Sequence, residues 1–272
     1  MKKRLLSLLA YVAVLYALSV VVARFAYRRF LYPAPGEEEL PIPDGATLLT
    51  VPAKDGVVVH ALDFPPDAAK ARDHGLDTVV LFHGNGERME WGVDLAARLR
   101  ARGFAVVLVE YRGYGRSRGA TPSEEGLYED AEAVLDGLAA AGVGPEHVIL
   151  WGRSLGTGVA TEMARRGKGS ALVLLAPFTS IRAVASYHAP WLPMSLILPD
   201  RYDNLAKARD IHVPTLIAHG DKDPVVPYVM GVELSRAIPG ARLETVHGGA
   251  HMDQIELDGD RIFDQVLKIA DQ

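Results

Sequence analysis

Four short stretches of this chain are continuously apolar, without the alternation of a half-exposed strand. They lie at residues 78–82, 104–109, 171–175 and 215–218. A strand with one face in water alternates apolar and polar residues, whereas a strand covered on both faces does not need to. The pattern therefore predicts a central parallel sheet with helices packed on both of its faces.

Strand-like and helix-like segments alternate along most of the chain. Strands are predicted at about 47–51, 57–63, 77–82, 104–110, 147–152, 170–176, 213–219 and 241–246. Helices are predicted at about 89–102, 123–141, 156–166, 228–237 and 257–270. This order indicates an α/β domain at 46–272 with an about eight-stranded, mostly parallel sheet. The first two strands have no helix between them and are expected to form an antiparallel hairpin at the edge.

One segment, at about 180–210, interrupts this alternation and has no clear sheet strand. We expect it to form a short cap insertion after the sixth strand, above the sheet. Its apolar residues either pack onto the domain or line a pocket for an acyl group; they are Trp191, Leu192, Met194, Leu196, Ile197 and Leu198.

The amino-terminal segment is predicted to be a membrane anchor. Residues 5–23 carry no charge, and as a helix they would extend about 28 Å at 1.5 Å per residue, close to the roughly 30 Å of a bilayer core. The block 1–31 is therefore interpreted as a single-pass transmembrane helix, followed by a proline-rich linker at 32–45. A cleaved signal peptide ending near residue 23 and an amphipathic or buried helix remain alternatives. The anchor places the protein in the cell membrane. The basic residues on either side of the helix slightly favour an amino terminus inside the cell and a catalytic domain outside the cytoplasm.

Charge and composition exclude several functional classes. Residues 1–31 contain six of the basic residues and no acidic one, which leaves the rest of the chain strongly acidic. An acidic domain is a poor candidate for nucleic-acid binding. The chain has no cysteine, which excludes disulfides and thiolate metal sites. The segment from Gly113 to Arg118 lacks the third glycine of a dinucleotide-binding motif, and no phosphate-binding loop motif is present. We expect no cofactor, no metal and no obligate protein partner.

The motif G-x-S-x-G occurs at residues 152–156, between a predicted strand and a predicted helix. This context is the one that the motif requires, because a serine on a sharp strand-to-helix turn projects its hydroxyl above the sheet. The pattern predicts that Ser154 is a nucleophile; the alternative is an ordinary helix-capping serine.

A serine hydroxyl needs a base and a group that orients the base. In the chain order Ser, acid, His, the acid follows a later strand, where Asp221 and Asp223 compete. We favour Asp223, because Pro224 and two valines can shield it from water. Beyond the next strand His247 and His251 compete, and we favour His251, which follows two glycines. Those glycines also argue against a metal site that would use a helical histidine pair.

An acyl-transfer enzyme must also stabilise an oxyanion. The backbone N–H of Leu155, directly after the serine, and that of Asn85, in the loop at 82–86, are the candidate donors. The alternative is that residues 82–86 form a plain glycine turn.

The chain resembles the α/β-hydrolase-domain serine hydrolases in five segments that occur in the same order. They are HGNGE at 83–87, EYRGYGRSRGATPSEEGLYEDAEAVLD at 110–136, WGRSLGTGVA at 151–160, HGDKDPVVP at 219–227 and GGAHMD at 248–253. The resemblance covers about residues 45–270 and is strongest to a branch with an amino-terminal membrane anchor. That branch includes protein depalmitoylases and lysophospholipid lipases. The resemblance implies the α/β-hydrolase fold and the catalytic residues Ser154, Asp223 and His251. Glu110 and Ala250 depart from the commonest form, which has Asp and Gly there.

The predicted function is a serine hydrolase that cleaves an ester or thioester bond of an acyl substrate, possibly lipid-like, through an acyl-enzyme. A serine peptidase of the aminopeptidase or prolyl type is one alternative. A catalytically silent binding protein on the same scaffold is another.

Overall fold

The computed structural model describes residues 2–35, 39–67 and 78–271 of the 272-residue chain. Residues 36–38 of the predicted linker and residue 77, predicted as the first residue of the third strand, lie outside the described residues. So do the two terminal residues.

All eight predicted strands are present in the described part, with ends that differ by at most two residues. They are β1 (Thr47–Pro52), β2 (Val58–Phe64), β3 (Thr78–Phe82), β4 (Ala105–Glu110), β5 (Val148–Arg153), β6 (Ala171–Leu175), β7 (Thr215–Gly220) and β8 (Arg242–Val246). They form one sheet in the order β1-β2-β4-β3-β5-β6-β7-β8. β1 and β2 form the expected antiparallel hairpin, β2 is antiparallel to β4, and the remaining pairs are parallel.

The helices of the described residues are α1 (Lys2–Leu31), α2 (Val93–Arg100), α3 (Glu124–Ala140), α4 (Leu155–Arg165), α5 (Ile181–His188), α6 (Met194–Ile197), α7 (Asn204–Lys207), α8 (Tyr228–Ala237) and α9 (Gln254–Ala270). Ser123 caps the amino end of α3, since its hydroxyl accepts a hydrogen bond from Gly126 N–H at 3.1 Å. The interrupting segment forms α5, α6 and α7 between β6 and β7 and contributes no strand.

The sheet separates two hydrophobic cores. Apolar residues of α3, α4 and α8 pack on one face, and those of α2 and α9 pack on the other. Alternate residues of a strand point to opposite faces, so Val80 and Phe82 join the first core while Val79 and Leu81 join the second. The continuous apolar runs are therefore explained by burial on both sides.

The helix α1 is continuous over 30 residues and, by length and composition, could cross a membrane. Most of its apolar side chains are exposed, but its carboxyl end packs on the first core through Tyr27 and Leu31. Directly after the helix, the Tyr32 hydroxyl donates to Asp200 Oδ2 at 2.7 Å and lies 3.0 Å from the Tyr202 hydroxyl. The end of α1 is therefore bound to the chain that follows α6.

A buried ion pair connects α3 to the loop after β4. The Arg112 Nε donates to Asp130 Oδ1 at 2.9 Å, and the Arg112 backbone N–H donates to Asp130 Oδ2 at 2.7 Å. Arg112 also reaches Asp55 at 2.6 Å, in the turn of the β1–β2 hairpin. The pair thus joins three separate parts of the fold.

We expect Asp130→Ala to lower the free energy of unfolding by about 3 kcal/mol, because it leaves the buried Arg112 without its main partner. The melting temperature should fall by roughly 6–12 °C for a domain of this size. The matched control is Asp136→Ala on the same helix, whose ion pair with Lys168 is exposed and should be worth less than about 1 kcal/mol. Thermal unfolding of the detergent-solubilised protein, followed by circular dichroism, measures both. Equal losses in the two variants would contradict the assignment.

Candidate active site

Ser154 occupies the turn between β5 and α4, with φ of 49° and ψ of −117°. This positive φ is strained for a residue with a side chain, and such strain persists only where the surroundings enforce it. The Ser154 N–H donates to Leu175 O on β6 at 3.0 Å, and its carbonyl accepts from Thr157. The turn is thereby held on both sides, with the hydroxyl at the carboxyl edge of the sheet.

The two glycines of the motif are required by close packing. A Cβ on Gly152 would collide with the backbone of Gly156 and would lie 2.6 Å from Thr157 Cα. A Cβ on Gly156 would collide with the carbonyl of Phe82 on β3. Only glycine lets α4 start so close to the sheet.

The loop after β8 brings His251 to the serine. Its Nε2 lies 2.9 Å from Ser154 Oγ, and its Nδ1 lies 2.7 Å from Asp223 Oδ2. Gln254, the first residue of α9, donates to the carbonyls of Ala250 and His251 at 2.8 and 2.9 Å. The predicted residues Ser154, His251 and Asp223 thus form one continuous hydrogen-bonded chain.

Asp223 lies in the loop after β7, where several hydrogen-bond donors surround its carboxylate. Its Oδ1 accepts from the backbone N–H groups of Val225 and Val226 at 2.8 and 2.9 Å. The Nε2 of the buried His219 lies 3.3 Å from Asp223 Oδ2. Burial by itself would raise the pKa of Asp223, but the hydrogen bonds from His219, His251 and Val226 outweigh it and hold this pKa well below its ordinary value. The carboxyl group is therefore a carboxylate at neutral pH.

The competing residues Asp221 and His247 pair with each other. His247 Nδ1 lies 3.0 Å from Asp221 Oδ2, and Gly248 N–H donates to Asp221 Oδ1 at 2.8 Å. The hydrogen bond from His247 and that from Gly248 lower the pKa of Asp221. This exposed pair joins the loop after β7 to the loop after β8 and does not contact Ser154.

The candidate oxyanion donors meet at the serine. Asn85 and Leu155 line the same cavity as Ser154. Leu155 is the first residue of α4, where the N–H has no partner within the helix and carries the positive end of its dipole. The loop that carries Asn85 follows β3 and turns at Gly86, whose φ of 72° suits glycine.

A buried carboxylate ties this loop to the serine turn. Glu87 Oε2 accepts from Gly84 N–H at 2.8 Å and from the guanidinium of Arg153, next to Ser154, at 2.7 Å. Sequence reasoning missed this contact and the contact between His219 and Asp223. Glu87, Arg153 and His219 lie inside the motif segments, which was the available signal. His219 and Asp223 share one segment, whereas Glu87 and Arg153 come from two different segments.

Glu110, where the family commonly has aspartate, has a buried histidine as its partner. His83 Nε2 lies 3.0 Å from Glu110 Oε1, and His83 Nδ1 lies 2.8 Å from Gly84 O. Both ring nitrogens therefore face oxygen atoms, which fixes the orientation of the imidazole at the base of the Asn85 loop. Ala250, the second departure, donates its N–H to Asp253 at 2.7 Å.

A cavity of about 440 Å³ lies next to Ser154. The cap contributes apolar residues of α5, α6 and their surroundings, and α1 contributes its carboxyl end. The lining residues are Ala23, Tyr27, Phe30, Leu31, Asn85, Ser154, Leu155, Phe178, Ile181, Val184, Ala185, Leu192, Met194, Ile197, Leu198, Val225 and Val226. No Asp, Glu, Lys or Arg is among these described lining residues. The cavity suits an uncharged apolar group.

Among the described residues, no three His, Asp or Glu side chains are arranged to hold a metal ion. The arrangement of donors instead allows chemistry at a serine hydroxyl: a base in contact with it, a carboxylate behind the base, and backbone N–H groups beside it.

Comparison with known proteins identifies relatives of this chain. A family model described as "Serine aminopeptidase, S33" matches residues 74–202. An uncharacterized protein of Mycobacterium tuberculosis is 32% identical over 250 residues, which cover 89% of this chain and 86% of that protein. The lysophosphatidylserine lipase ABHD12 of Macaca fascicularis is 37% identical over 194 residues, 64% of this chain and 48% of that protein. The chain thus spans about half the length of the ABHD12 relative.

Solved structures support the same fold. The esterase Pf2001 of Pyrococcus furiosus superposes with a TM-score of 0.70 over 87% of this chain and 97% of that chain, at 16% identity. At this identity the similarity concerns the fold alone. Together with the sheet order, the strand–serine–helix turn and the relatives above, it shows that this chain belongs to the α/β-hydrolase superfamily.

Proposed function

We propose that this chain is a membrane-anchored serine hydrolase that cleaves an apolar acyl ester or thioester through a covalent acyl-enzyme. The observation that carries the proposal is the chain of hydrogen bonds from Ser154 Oγ through His251 to Asp223, at the wall of an apolar cavity. Nucleophile, base and orienting carboxylate in this geometry are the parts that acyl transfer needs.

In the first half-reaction, Ser154 Oγ attacks the carbonyl carbon while its proton passes to His251 Nε2. Asp223 accepts the hydrogen bond from Nδ1–H, which keeps the imidazole in the tautomer that can accept this proton, and stabilises the imidazolium. The carbonyl oxygen becomes an oxyanion, to which the N–H groups of Leu155 and Asn85 donate. The intermediate then collapses, and the alcohol or thiol leaves with the proton from His251.

In the second half-reaction, water takes the place of the leaving group. His251 removes a proton from this water as it attacks the acyl carbon, and the N–H groups of Leu155 and Asn85 again stabilise the oxyanion. When this intermediate collapses, the proton returns to Ser154 Oγ and the free acid departs. No cofactor is needed for either half-reaction.

A serine aminopeptidase is the second candidate, favoured by the description of the matching family model. Such an enzyme must bind a protonated α-amino group, for which a carboxylate is the usual partner. The described residues that line the cavity include no Asp or Glu. The cavity therefore favours an uncharged acyl group, and the name of the lipase relative points the same way.

We also propose that α1 stays attached to the mature protein as a single-pass anchor. Basic residues lie at both of its ends, at Lys2, Lys3 and Arg4 and again at Arg28 and Arg29. The apolar part continues as one helix into Tyr27 and Leu31, which pack on the core. This continuity favours a retained anchor over a cleaved signal peptide.

We expect Ser154→Ala to abolish labelling by a fluorophosphonate probe, because this variant has no hydroxyl for the probe to phosphonylate. Ester turnover should fall at least about 10⁴-fold. The matched control is Ser170→Ala, directly before β6, whose hydroxyl donates to Pro145 O; it should label like the wild type. Equal labelling of wild type and Ser154→Ala would contradict the nucleophile, and an unlabelled wild type would favour a silent binding protein.

Substitution of each of the two aspartates after β7 tests which of them orients the catalytic histidine. Asp223→Asn should lower kcat for p-nitrophenyl butyrate by roughly 10⁴-fold, because an amide no longer holds His251 in the required tautomer. Asp221→Asn changes only the exposed pair with His247 and should alter kcat less than about threefold. Because the pKa of Asp223 lies well below its ordinary value, the acidic limb of the wild-type pH–rate profile above about pH 5 should not reflect this residue. The opposite ranking of the two variants would move the acid to Asp221.

The apolar cavity predicts a dependence on acyl chain length. Burial of one CH₂ is worth about 0.8 kcal/mol, so kcat/KM should rise about fourfold per added methylene until the cavity is full, provided that the burial is realised in the transition state. A series of p-nitrophenyl esters from acetate to laurate measures this rise. Ala185→Phe, which fills part of the lining, should move the optimum to shorter chains. A steady decline beyond acetate would rule out the acyl pocket, and faster turnover of aminoacyl-p-nitroanilides than of esters would favour the peptidase.

A further inference from the structure

The cap exposes large apolar side chains next to α1. Tyr187, Trp191 and Leu196 have exposed fractions of 64%, 69% and 64%. These three residues, which we call the cap tip, lie within ten positions of the chain, on α5, on α6 and between them. Exposed aromatic and aliphatic residues at such density mark a surface that contacts a partner.

A hydrogen bond fixes the height of the cap tip along α1. The Tyr16 hydroxyl donates to the Trp191 carbonyl at 2.7 Å. Tyr16 lies seven residues before Ala23, the end of the uncharged stretch, which is about 10 Å along the helix axis. Helical side chains lean toward the amino terminus, so the Tyr16 hydroxyl is no closer to the basic end than its own Cα. Trp191 therefore lies beside the apolar part of α1, beyond the level of Arg24.

Charge is absent from the same stretch of the cap. From residue 183 to residue 199 there is no Asp, Glu, Lys or Arg. Arg182 precedes this stretch and donates to Leu198 O at 2.7 Å, and the buried Asp200 follows it. His188, within this stretch, has its Nε2 2.8 Å from Val225 O.

Several backbone polar groups in the turn between α5 and α6 are paired or replaced by proline, which lowers the cost of an apolar medium, where an unpaired N–H or C=O is costly. Pro190 and Pro193 have no N–H, and Leu192 N–H donates to Ala189 O at 3.1 Å. The carbonyl of Trp191 accepts the Tyr16 hydroxyl described above. Each of the backbone groups named here thus either has a hydrogen-bond partner or, at the two prolines, has no N–H to satisfy.

We propose that the cap tip is inserted into the lipid bilayer beside α1, so that the cavity over Ser154 is presented to the membrane and takes acyl chains directly from it. The proposal rests on the membrane-anchoring role proposed above for α1. A depth of up to about 10 Å below the headgroup boundary agrees with that of interfacial amphipathic segments. Phe30 and Ala23 of α1 and Leu192 and Met194 of the cap line the cavity, so the two membrane-contacting elements are also its walls.

The depth can be measured by tryptophan fluorescence of the full-length protein in phosphatidylcholine vesicles. The chain has three tryptophans: Trp151 is buried, and Trp91 is exposed at 57%, outside the cap. Trp91→Phe and Trp191→Phe are thus matched variants that keep Trp151 as a common background. Lipids brominated at acyl carbons 6 and 7 should quench roughly half of the emission of Trp91→Phe, and less than about a tenth of that of Trp191→Phe, as expected for insertion by about 10 Å.

Two results would overturn the insertion. If aqueous iodide quenches Trp191 and bromolipid does not, the cap tip lies in water. If neither quenches it, a second copy of the chain covers the surface, and cross-linking should then detect a dimer. Vesicle flotation and fluorophosphonate labelling of the same samples separate these results from failure of the anchor or of the active site.

The consequence for turnover is tested with substrates on either side of the interface. Trp191→Ser combined with Leu196→Ser should lower turnover of a long-chain p-nitrophenyl ester embedded in the vesicles about fivefold or more, because the cap tip no longer inserts. Turnover of water-soluble p-nitrophenyl butyrate should stay unchanged, since neither residue lines the cavity. Trp91→Ser combined with Leu257→Ser, two exposed apolar residues elsewhere, is the control. An equal loss for both substrates would show that the cap tip serves packing and would contradict the proposal.

Discussion

The tight turn at Ser154 is the constraint on which the rest of the site depends. Its backbone adopts a conformation that a residue with a side chain avoids, and the strain is offset only because β5, β6 and α4 are already packed around it. Gly152 and Gly156 permit the close approach, and Leu175 O accepts the serine N–H. With the turn held in this way, the hydroxyl, the start of α4 and the loop after β3 meet at one point. A parallel sheet favours this arrangement, since the carboxyl ends of its strands share an edge.

Hydrogen bonds to charged side chains hold the groups around the proposed triad in position. Asp223 receives hydrogen bonds from backbone N–H groups and from two histidines, which stabilise its charge against burial. Glu87 links the loop that carries Asn85 to Arg153 beside the serine. A displacement of either loop would break charge-assisted hydrogen bonds in a buried setting, which is costly. In our proposal the donors are thus in position before a substrate arrives, as electrostatic stabilisation of an oxyanion requires.

The helix α1 packs directly against the α/β domain and is more than a flexible link to it. Its carboxyl end forms part of the cavity wall and part of the first core. The hydroxyls of Tyr27 and Tyr32 converge on Asp200, which directly follows the cap. Direct contacts therefore join the helix, the cap and the wall of the cavity. In our proposal the orientation of the active site toward the bilayer follows from this connection, because hydrogen bonds join the helix to the cap and to Asp200.

The order and type of the elements were predictable from the sequence because they depend on local patterns. Continuous apolar runs identified the buried strands, the glycines at 152 and 156 identified the serine turn, and chain order narrowed the acid and the base to two candidates each. Tertiary structure alone decided the pairings: His251 with Asp223, His247 with Asp221, Glu87 with Arg153, and the end of α1 with Asp200. Each of these contacts joins residues separated by more than twenty positions. The periodicity of a segment records which face is buried but not which distant side chain lies against it.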